Sequence, residues 1–178
     1  ITSTDTWFRP VNFVNGPDGC LYILDMYRET IEHPFSVPED IKAHLDLESG
    51  HDRGRIYRLV PPDWRRPETP DLQSLSTNEL AQHLDSPNAW HRETAQRLIL
   101  EREGEVDAAQ IGEMLLAANT SPLGRLHCLE TLACLDELKQ EHVMSLLSGT
   151  DPRLHYHAVR HLTPFVEEIG DEVQPIVT

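Results

Sequence analysis

Residues 11–24 read VNFVNGPDGCLYIL, two apolar runs on either side of a dense turn signal. Gly16 and Gly19 tolerate positive φ, and Pro17 presets φ at one position of a turn. The run at 11–14 predicts a short strand. The run at 20–24 is apolar throughout, which predicts an inner strand buried on both faces. The segment therefore predicts a strand–turn–strand unit near the amino-terminal end.

A third strand is predicted at residues 55–60, RIYRLV, where polar and apolar side chains alternate as in a half-exposed strand. The insertion between the second and third strands is long, and loops of such length are often functional. Within it, residues 38–45 predict a short helix, with proline at its start and Ile41 and Leu45 at i,i+4 spacing. Three strands leave two raw edges, so we expect an incomplete sheet.

Composition excludes several functions. The 178 residues carry 15 basic and 30 acidic side chains, a net charge of -15, which disfavours nucleic acid and anionic membranes as partners. No apolar run reaches the roughly 18 residues of a membrane span. The chain starts at Ile1, so we expect a piece of a longer protein with targeting signals upstream. Cys20, Cys128 and Cys134 predict small buried side chains rather than a disulfide framework.

The second half predicts paired helices behind a proline-rich linker at residues 61–74. Ser76 and Glu79 form a capping box before Leu80 and Leu84. Further helices are expected from Trp90 to near Gly104, from Asp107 to Ala118, from Pro122 to Ala133, from His142 to Ser148 and from Pro152 to Gly170, with a last one beginning at Asp171.

An internal repeat organises these helices. Pro87, Pro122 and Pro152 are each expected to open the second helix of a pair, and they lie 35 and then 30 positions apart. That period fits irregular HEAT-like repeats. Because one pair cannot bury its own apolar face, the pairs are expected to stack into an α-α superhelix.

Residues 8–59 resemble the end of the sorbosone-dehydrogenase-like β-propeller found in large exported proteins of planctomycete-type bacteria. The resemblance rests on DMYR at 25–28, TIEHP at 30–34 and DRGRIY at 52–57, and WHRETAQRL at 90–98 resembles a run that follows the propeller. It implies an α+β, mostly α chain. A partial propeller blade of about three antiparallel strands would occupy residues 1–60, and HEAT-like repeats would occupy residues 75–178.

The resemblance also implies a function for the parent protein. That protein would be periplasmic or exported, oxidise a sugar or related alcohol, and pass electrons to a cytochrome domain. Related dehydrogenases use pyrroloquinoline quinone (PQQ) and calcium, held mostly by other blades. Haem c would also belong to the parent, since this chain lacks Cys-x-x-Cys-His. The chain itself is expected to hold no cofactor and to be inactive.

Two partners follow from this interpretation: the rest of the propeller, and a protein docked on the helical repeats, which would serve as a spacer or docking surface. The alternative is a HEAT-repeat interaction scaffold whose acidic face holds a basic protein. Residues 67–178 support an acidic face, because they hold 19 acidic and 7 basic side chains.

A polar cluster is predicted around the long insertion. It comprises Asp25, Arg28, Glu32, His33, Arg53 and Arg55. Carboxylate, guanidinium and imidazole groups together can bind a small polar ligand or perform acid–base chemistry. The alternative is a buried ion-pair network in which the three arginines neutralise Asp25, Glu29 and Asp52 and fix the insertion to the blade.

The helical half offers weaker candidates. His157 and His161 lie at i,i+4 and could chelate Zn²⁺, but a third ligand near in sequence is missing, so a solvated helix face is favoured and no metal is predicted. A metal-dependent hydrolase built on these histidines is the third hypothesis. Trp90, Arg92 and Arg97 are candidates on the repeat surface. Trp90 is expected to pack the first repeat, with a binding groove beside Arg97 as the alternative.

Overall fold

A computed structural model describes residues 2–102 and 106–166 of the chain. These residues contain three strands and seven α-helices, so the predicted class, α+β and mostly α, is confirmed. The chain divides into two compact units with a boundary between Thr69 and Pro70, inside the predicted linker. We call residues 1–69 the sheet unit and residues 70–178 the helical unit. None of the described helices is both long and apolar enough to cross a membrane.

The sheet unit contains one antiparallel sheet and one short helix. The strands are β1 (Pro10–Asn15), β2 (Leu21–Asp25) and β3 (Arg55–Leu59), in the order β1-β2-β3. Helix α1 (Glu39–Lys42) lies in the insertion between β2 and β3. The helical unit contains α2 (Thr77–His83), α3 (Ala89–Glu101), α4 (Ala108–Leu116), α5 (Pro122–Cys134), α6 (Gln140–Leu147) and α7 (Pro152–Arg160). Short 3₁₀ turns occupy Pro34–Ser36, Leu72–Ser74 and Thr163–Phe165.

The turn between β1 and β2 follows the sequence signal. The Gly16 N–H donates to the Cys20 carbonyl at 2.9 Å, and Gly19 adopts φ 77°, the left-handed conformation that glycine tolerates. In register, Ile23 stands between Phe13 and Tyr57. Ile23 is buried, but the other apolar residues of β2 are only half-buried. β2 is the inner strand, as predicted, but the expectation that it is buried on both faces is wrong.

The outer strands leave apolar side chains in water. Phe13 on β1 is 53% exposed and Ile56 on β3 is 69% exposed. On β3, Ile56 and its neighbour Tyr57 are both exposed, so the predicted alternation of burial along this strand is wrong. Four of the five residues of β3 are exposed, so neither face of this strand is buried. The helix predicted at residues 38–45 is present but shorter, since α1 spans only Glu39–Lys42. Ile41 on this helix is also exposed.

The helical unit is a two-layer stack of three helix pairs, α2/α3, α4/α5 and α6/α7. In one layer α4 contacts both α2 and α6, and in the other α5 contacts both α3 and α7. Their shared core contains fully buried Leu80, Ile99, Ile111 and Leu132. Replacing one of these by alanine would cost about 2–5 kcal/mol. The HEAT-like assignment of this stack stays a prediction.

The helix starts are set by local caps. The Ser76 hydroxyl accepts the Glu79 N–H at 3.3 Å, and the Glu79 carboxylate accepts the Ser76 N–H at 2.8 Å, which confirms the capping box. Pro122 and Pro152 stand at the first helical position behind the caps Ser121 and Asp151, also as predicted. Pro87 does not open α3, because Asn88 caps that helix.

Several predicted helix ends are wrong. Ala118 lies beyond α4, and α7 ends at Arg160 instead of continuing towards Gly170. Gly104, Gly170 and the helix predicted from Asp171 lie outside the described residues.

One tight contact ties the first helix pair to the second. The Asp85 carboxylate follows α2 and accepts the Ser121 N–H at 3.1 Å and the Ser121 hydroxyl, at the start of α5. A Cβ at Gly124 would overlap the Asp85 carboxylate. Glycine at 124 is therefore required by a close approach between two helix pairs.

We predict that Gly124→Ala destabilises the chain by about 1–2 kcal/mol, because overpacking costs more than the helix propensity that alanine gains. Urea unfolding followed by circular dichroism at 222 nm measures this change. In an Asp85→Ala background the same substitution should be neutral or stabilising, since the overlapping carboxylate is gone. A stabilising effect in the wild-type background would contradict the close approach.

Candidate functional site

Asp25 is the centre of the polar network in the sheet unit. Its side chain is fully buried at the end of β2. One carboxylate oxygen accepts the N–H groups of Arg9 at 2.7 Å and Tyr27 at 3.0 Å, and the other accepts Arg55 Nε–H at 2.8 Å. Burial would raise the pKa of Asp25, but these N–H donors and the guanidinium charge hold the pKa below its ordinary value.

Arg55 is enclosed in turn. It stands opposite Asp25 in the register of β2 and β3, and its Nη2 lies 3.1 Å from the Asp5 carboxylate. Its guanidinium carbon lies 3.8 Å from the centre of the Tyr27 ring and 5.3 Å from that of Tyr57. With both Asp25 oxygens and the guanidinium occupied, this pair has a structural role.

The other predicted members of the cluster do not join this pair. Arg28 donates to the Leu47 carbonyl, which ties the start of the insertion to a later part of it. Arg53 lies 3.7 Å from Asp52, and both side chains are largely exposed. In the described residues no hydrogen bond or ion pair connects Arg28 or Arg53 to Asp25. The alternative prediction was that all three arginines neutralise carboxylates. It is wrong for Arg28, which bonds to a backbone carbonyl instead.

Glu32 and His33 are exposed on the insertion. The His33 Nδ1 accepts the Phe35 N–H at 3.3 Å and starts the 3₁₀ turn, and the two rings stack with centroids 5.4 Å apart. These contacts are local. The structure thus brings together Asp25 and Arg55 from the predicted cluster, and it leaves Glu32 and His33 at the surface.

A second buried carboxylate, Asp18, was not singled out by the sequence. Its Oδ1 accepts the Cys20 N–H at 3.1 Å, and its Oδ2 accepts the Tyr22 hydroxyl at 3.0 Å and Arg58 Nη1–H at 3.1 Å. Burial opposes ionisation, but these donors lower the pKa of Asp18. The sequence offered one sign of this role, an aspartate inside the Asn-Gly-Pro-Asp-Gly turn. Aspartate is common in turns for reasons of turn geometry alone, so this sign does not predict a buried carboxylate.

The repeat-surface candidates occupy different environments. Trp90 is half-buried against the helical core, and the exposed Arg97 pairs with Glu101 at 2.8 Å. Trp90, Arg97 and Glu101 line one cleft of about 420 Å³ together with residues 70–73. Arg92 is buried, and its Nη1–H groups donate to the Ser86 and Pro87 carbonyls at 2.7 and 3.1 Å. Arg92 therefore holds the loop between α2 and α3.

His157 and His161 meet on one carboxylate from the neighbouring helix. His157 Nδ1–H donates to Glu130 Oε1 at 3.0 Å, and His161 Nε2–H donates to Glu130 Oε2 at 3.2 Å. Across residues 2–102 and 106–166, no group of three His, Cys, Asp or Glu side chains is arranged to hold a metal ion. The histidine pair instead joins α7 to α5.

The cysteines differ from one another. Cys20 and Cys128 are buried, whereas Cys134 is exposed, so the expectation of burial is wrong for Cys134. It is the last residue of α5 and points away from the core. Burial, with the Asp85 charge, raises the pKa of the Cys128 thiol to about 12, which removes it as a nucleophile at neutral pH.

Comparison with known proteins bears on the sheet unit alone. Residues 1–63 match the family model of a domain of unknown function, DUF7133. The match covers about a third of the chain and ends before the helical unit. No curated protein and no solved structure matches the chain.

We predict that Asp25→Ala destabilises the sheet unit by about 2–4 kcal/mol, because it leaves buried N–H donors and a guanidinium without an acceptor. A urea titration followed through the NMR amide signals of Ile23 and Tyr57 reports on this unit. The matched control, Asp52→Ala, removes an exposed carboxylate and should change stability by less than about 0.5 kcal/mol. Equal effects of the two substitutions would contradict the role of Asp25.

We predict that the helical unit loses stability as the pH falls below about 6.5, the pKa of an unfolded histidine. Burial lowers the pKa of His83, His127 and His142. Their neutral forms therefore stabilise the fold above pH 6.5, and this stabilisation is lost as the pH falls through the lower folded-state pKa values. Urea unfolding at 222 nm between pH 7.5 and 5 measures the loss.

Two substitutions test whether the buried histidines cause this pH dependence. His127→Gln should reduce the pH dependence, whereas His44→Gln, at an exposed position in the sheet unit, should leave it unchanged. A stability that is constant or rises between pH 7.5 and 5 would contradict the prediction.

Proposed function

We propose that this chain is a non-catalytic assembly module of a larger exported, dehydrogenase-like protein. The sheet unit would be a wedge of a β-propeller, and the helical unit a spacer and docking surface. The single observation that supports this most is the open sheet: three strands whose outer members leave large apolar side chains in water.

The exposed apolar side chains lie on both edge strands. β1 carries Val11, Phe13 and Val14, each exposed by about half, and β3 carries Ile56. In the part of the chain that the structure describes, no further strand pairs with β1 or β3. Stacked sheets bury such side chains face to face, as neighbouring blades of a propeller do. If the sheet unit packs against other β-sheets in a larger protein, the exposed apolar side chains of β1 and β3 would be buried there.

The roles of the motif residues support a non-catalytic sheet unit. Of the residues that carry the propeller resemblance, Asp25 and Arg55 bind each other and the backbone instead of facing a cleft. The family match to residues 1–63 also coincides with the sheet unit, which supports a unit that recurs independently of the helices. Oxidation of a sugar or alcohol with PQQ, calcium and haem c would then belong to the rest of the parent.

A docking role for the helical unit has support of its own. One cleft lies between α4 and α6 and another between α3 and residues 70–73, and the rim residues Glu101, Glu113 and Glu141 are exposed acids. A stacked-helix surface with excess carboxylates fits a basic protein partner. The same surface supports the second candidate function, an interaction scaffold that works without a propeller.

We predict that Phe13→Thr combined with Ile56→Thr reduces the self-association of the chain and its binding of the dye ANS by roughly half or more, since both depend on exposed apolar area. Sedimentation velocity and dye fluorescence measure these properties. The matched control is Phe35→Thr combined with Ile41→Thr, which removes the same two residue types from the exposed insertion.

Two results would contradict the proposal. The first is an equal decrease in dye binding and self-association for the sheet variant and the control. The second is reduction of an electron-acceptor dye by the purified chain supplied with PQQ, calcium and glucose, which would make the chain itself catalytic.

A further inference from the structure

Helices α3, α5 and α7 lie in one layer of the helical unit, and a polar contact joins each to the next. His127 on α5 donates to Gln96 on α3 at 2.9 Å, and His157 on α7 donates to Glu130 on α5 at 3.0 Å. We call the two sides of a helix that make these contacts its histidine side and its acceptor side. α5 uses both sides, whereas α3 uses its acceptor side and α7 uses its histidine side.

The acceptor side of α7 is in water. Glu130 stands nine residues after the cap of α5, and the same position on α7 is the exposed Arg160. Tyr156 and Val159 are 65% and 50% exposed, and they share this side because residues three or four apart lie on one face of a helix. The outer face of an end repeat normally has to be polar to stay soluble. This face instead carries two large apolar side chains and a positive charge.

The histidine side of α3 borders an open cleft. Thr94 takes the position that the histidines occupy on α5 and α7, six residues after the cap, and it lines a cleft of about 420 Å³ between α3 and residues 70–73. We call it the α3 cleft. Trp90 and Leu98 give it an apolar wall. The histidine side of α3 therefore meets this cleft where α5 and α7 meet a neighbouring helix.

The two sides are complementary in charge. Asp71 and Glu101 are exposed carboxylates in the lining of the α3 cleft, and one of them pairs with Arg97 at 2.8 Å. Two carboxylates and one guanidinium leave an excess of negative charge, which suits Arg160. At the α5–α7 junction the acid is on the acceptor side instead. The reversal favours contact between the two outer sides over contact of either with an internal side.

We propose that the acceptor side of α7 docks into the α3 cleft of a second copy of this chain. Tyr156 packs against Trp90, and Arg160 lies among the carboxylates of the cleft. The contact joins two different surfaces head to tail, so that further copies add in a row. This inference goes beyond the proposed function, since it involves neither a propeller nor another protein.

The test uses the full chain with Phe13→Thr and Ile56→Thr, so that association through the sheet does not contribute. Sedimentation velocity between about 0.01 and 1 mM chain measures the association constant. The buffer contains about 0.15 M NaCl, because the net charge of -15 makes copies repel one another at low salt. Arg160→Glu should weaken association by about tenfold or more, since it places a carboxylate among carboxylates. Glu101→Arg should do the same for the converse reason.

Mixing the two variants separates a specific contact from a general loss. Equal amounts of the Arg160→Glu chain and the Glu101→Arg chain should associate within about threefold of the parent, because each altered charge meets the other. The controls Arg65→Glu and Glu68→Arg make the same charge changes at exposed positions of the sheet unit, and they should change association by less than about threefold. Circular dichroism melts establish that all four variants are folded.

Three results would overturn the inference: a sedimentation coefficient independent of concentration in the sheet-variant background, equal losses in the controls, or no recovery on mixing. A further variant, Tyr156→Glu, tests whether another part of the same chain covers the acceptor side of α7. In that case it would lower the stability of the dilute monomer and leave association unchanged, which also overturns the inference.

These outcomes are separate from those of the assembly proposal. The sheet experiment compares variants of β1 and the insertion with a wild-type chain in which the α3 cleft and α7 are unaltered. A failed mixing experiment therefore leaves the sheet proposal standing, and the converse holds.

Discussion

No helix or strand in this chain can bury its apolar side alone, and this constraint shapes both units. In the helical unit each pair meets the next, so that Leu129 on α5 is completely buried. In the sheet unit the outer strands leave Phe13 and Ile56 exposed. The helical unit is thus closed around its core, whereas the sheet unit is open. This difference is the reason why we propose assembly, rather than catalysis, for the sheet unit.

Two buried carboxylates compensate for the small apolar core of the sheet. Asp25 at the end of β2 bonds to Arg55, and Asp18 in the preceding turn bonds to Arg58. Both arginines belong to β3, and each aspartate also accepts a backbone N–H. A slip of β3 by one residue would break both pairs and leave two charges buried without partners. Polar contacts at the two ends of β2 therefore specify a register that the exposed apolar side chains specify only weakly.

The sequence predicted the features that depend on a few neighbouring residues. The fold class, the three strands and the caps at Ser76, Ser121 and Asp151 follow from short-range patterns and are confirmed. Pro87 was misassigned because Asn88, one residue later, supplies a better cap. The burial predicted for the side chains of β2 and β3 was wrong. Burial depends on what covers the sheet, and the pattern of residues along a single strand does not encode this. Pairings such as Asp18 with Arg58, 40 positions apart, were invisible for the same reason.

The caps define the repeat more accurately than the prolines do. The caps of α3, α5 and α7 lie 33 and then 30 positions apart. Six residues after its cap, α5 carries His127 and α7 carries His157. His127 donates through Nδ1 to Gln96 on α3, and His157 donates through Nδ1 to Glu130 on α5, in each case the neighbouring helix of the same layer. The same position on α3 is Thr94, which lines a cleft instead. In α5 and α7, this position therefore holds a histidine that bonds to the neighbouring helix of the same layer. A polar contact between neighbouring helices therefore repeats along with the apolar core, from α3 to α5 and again from α5 to α7.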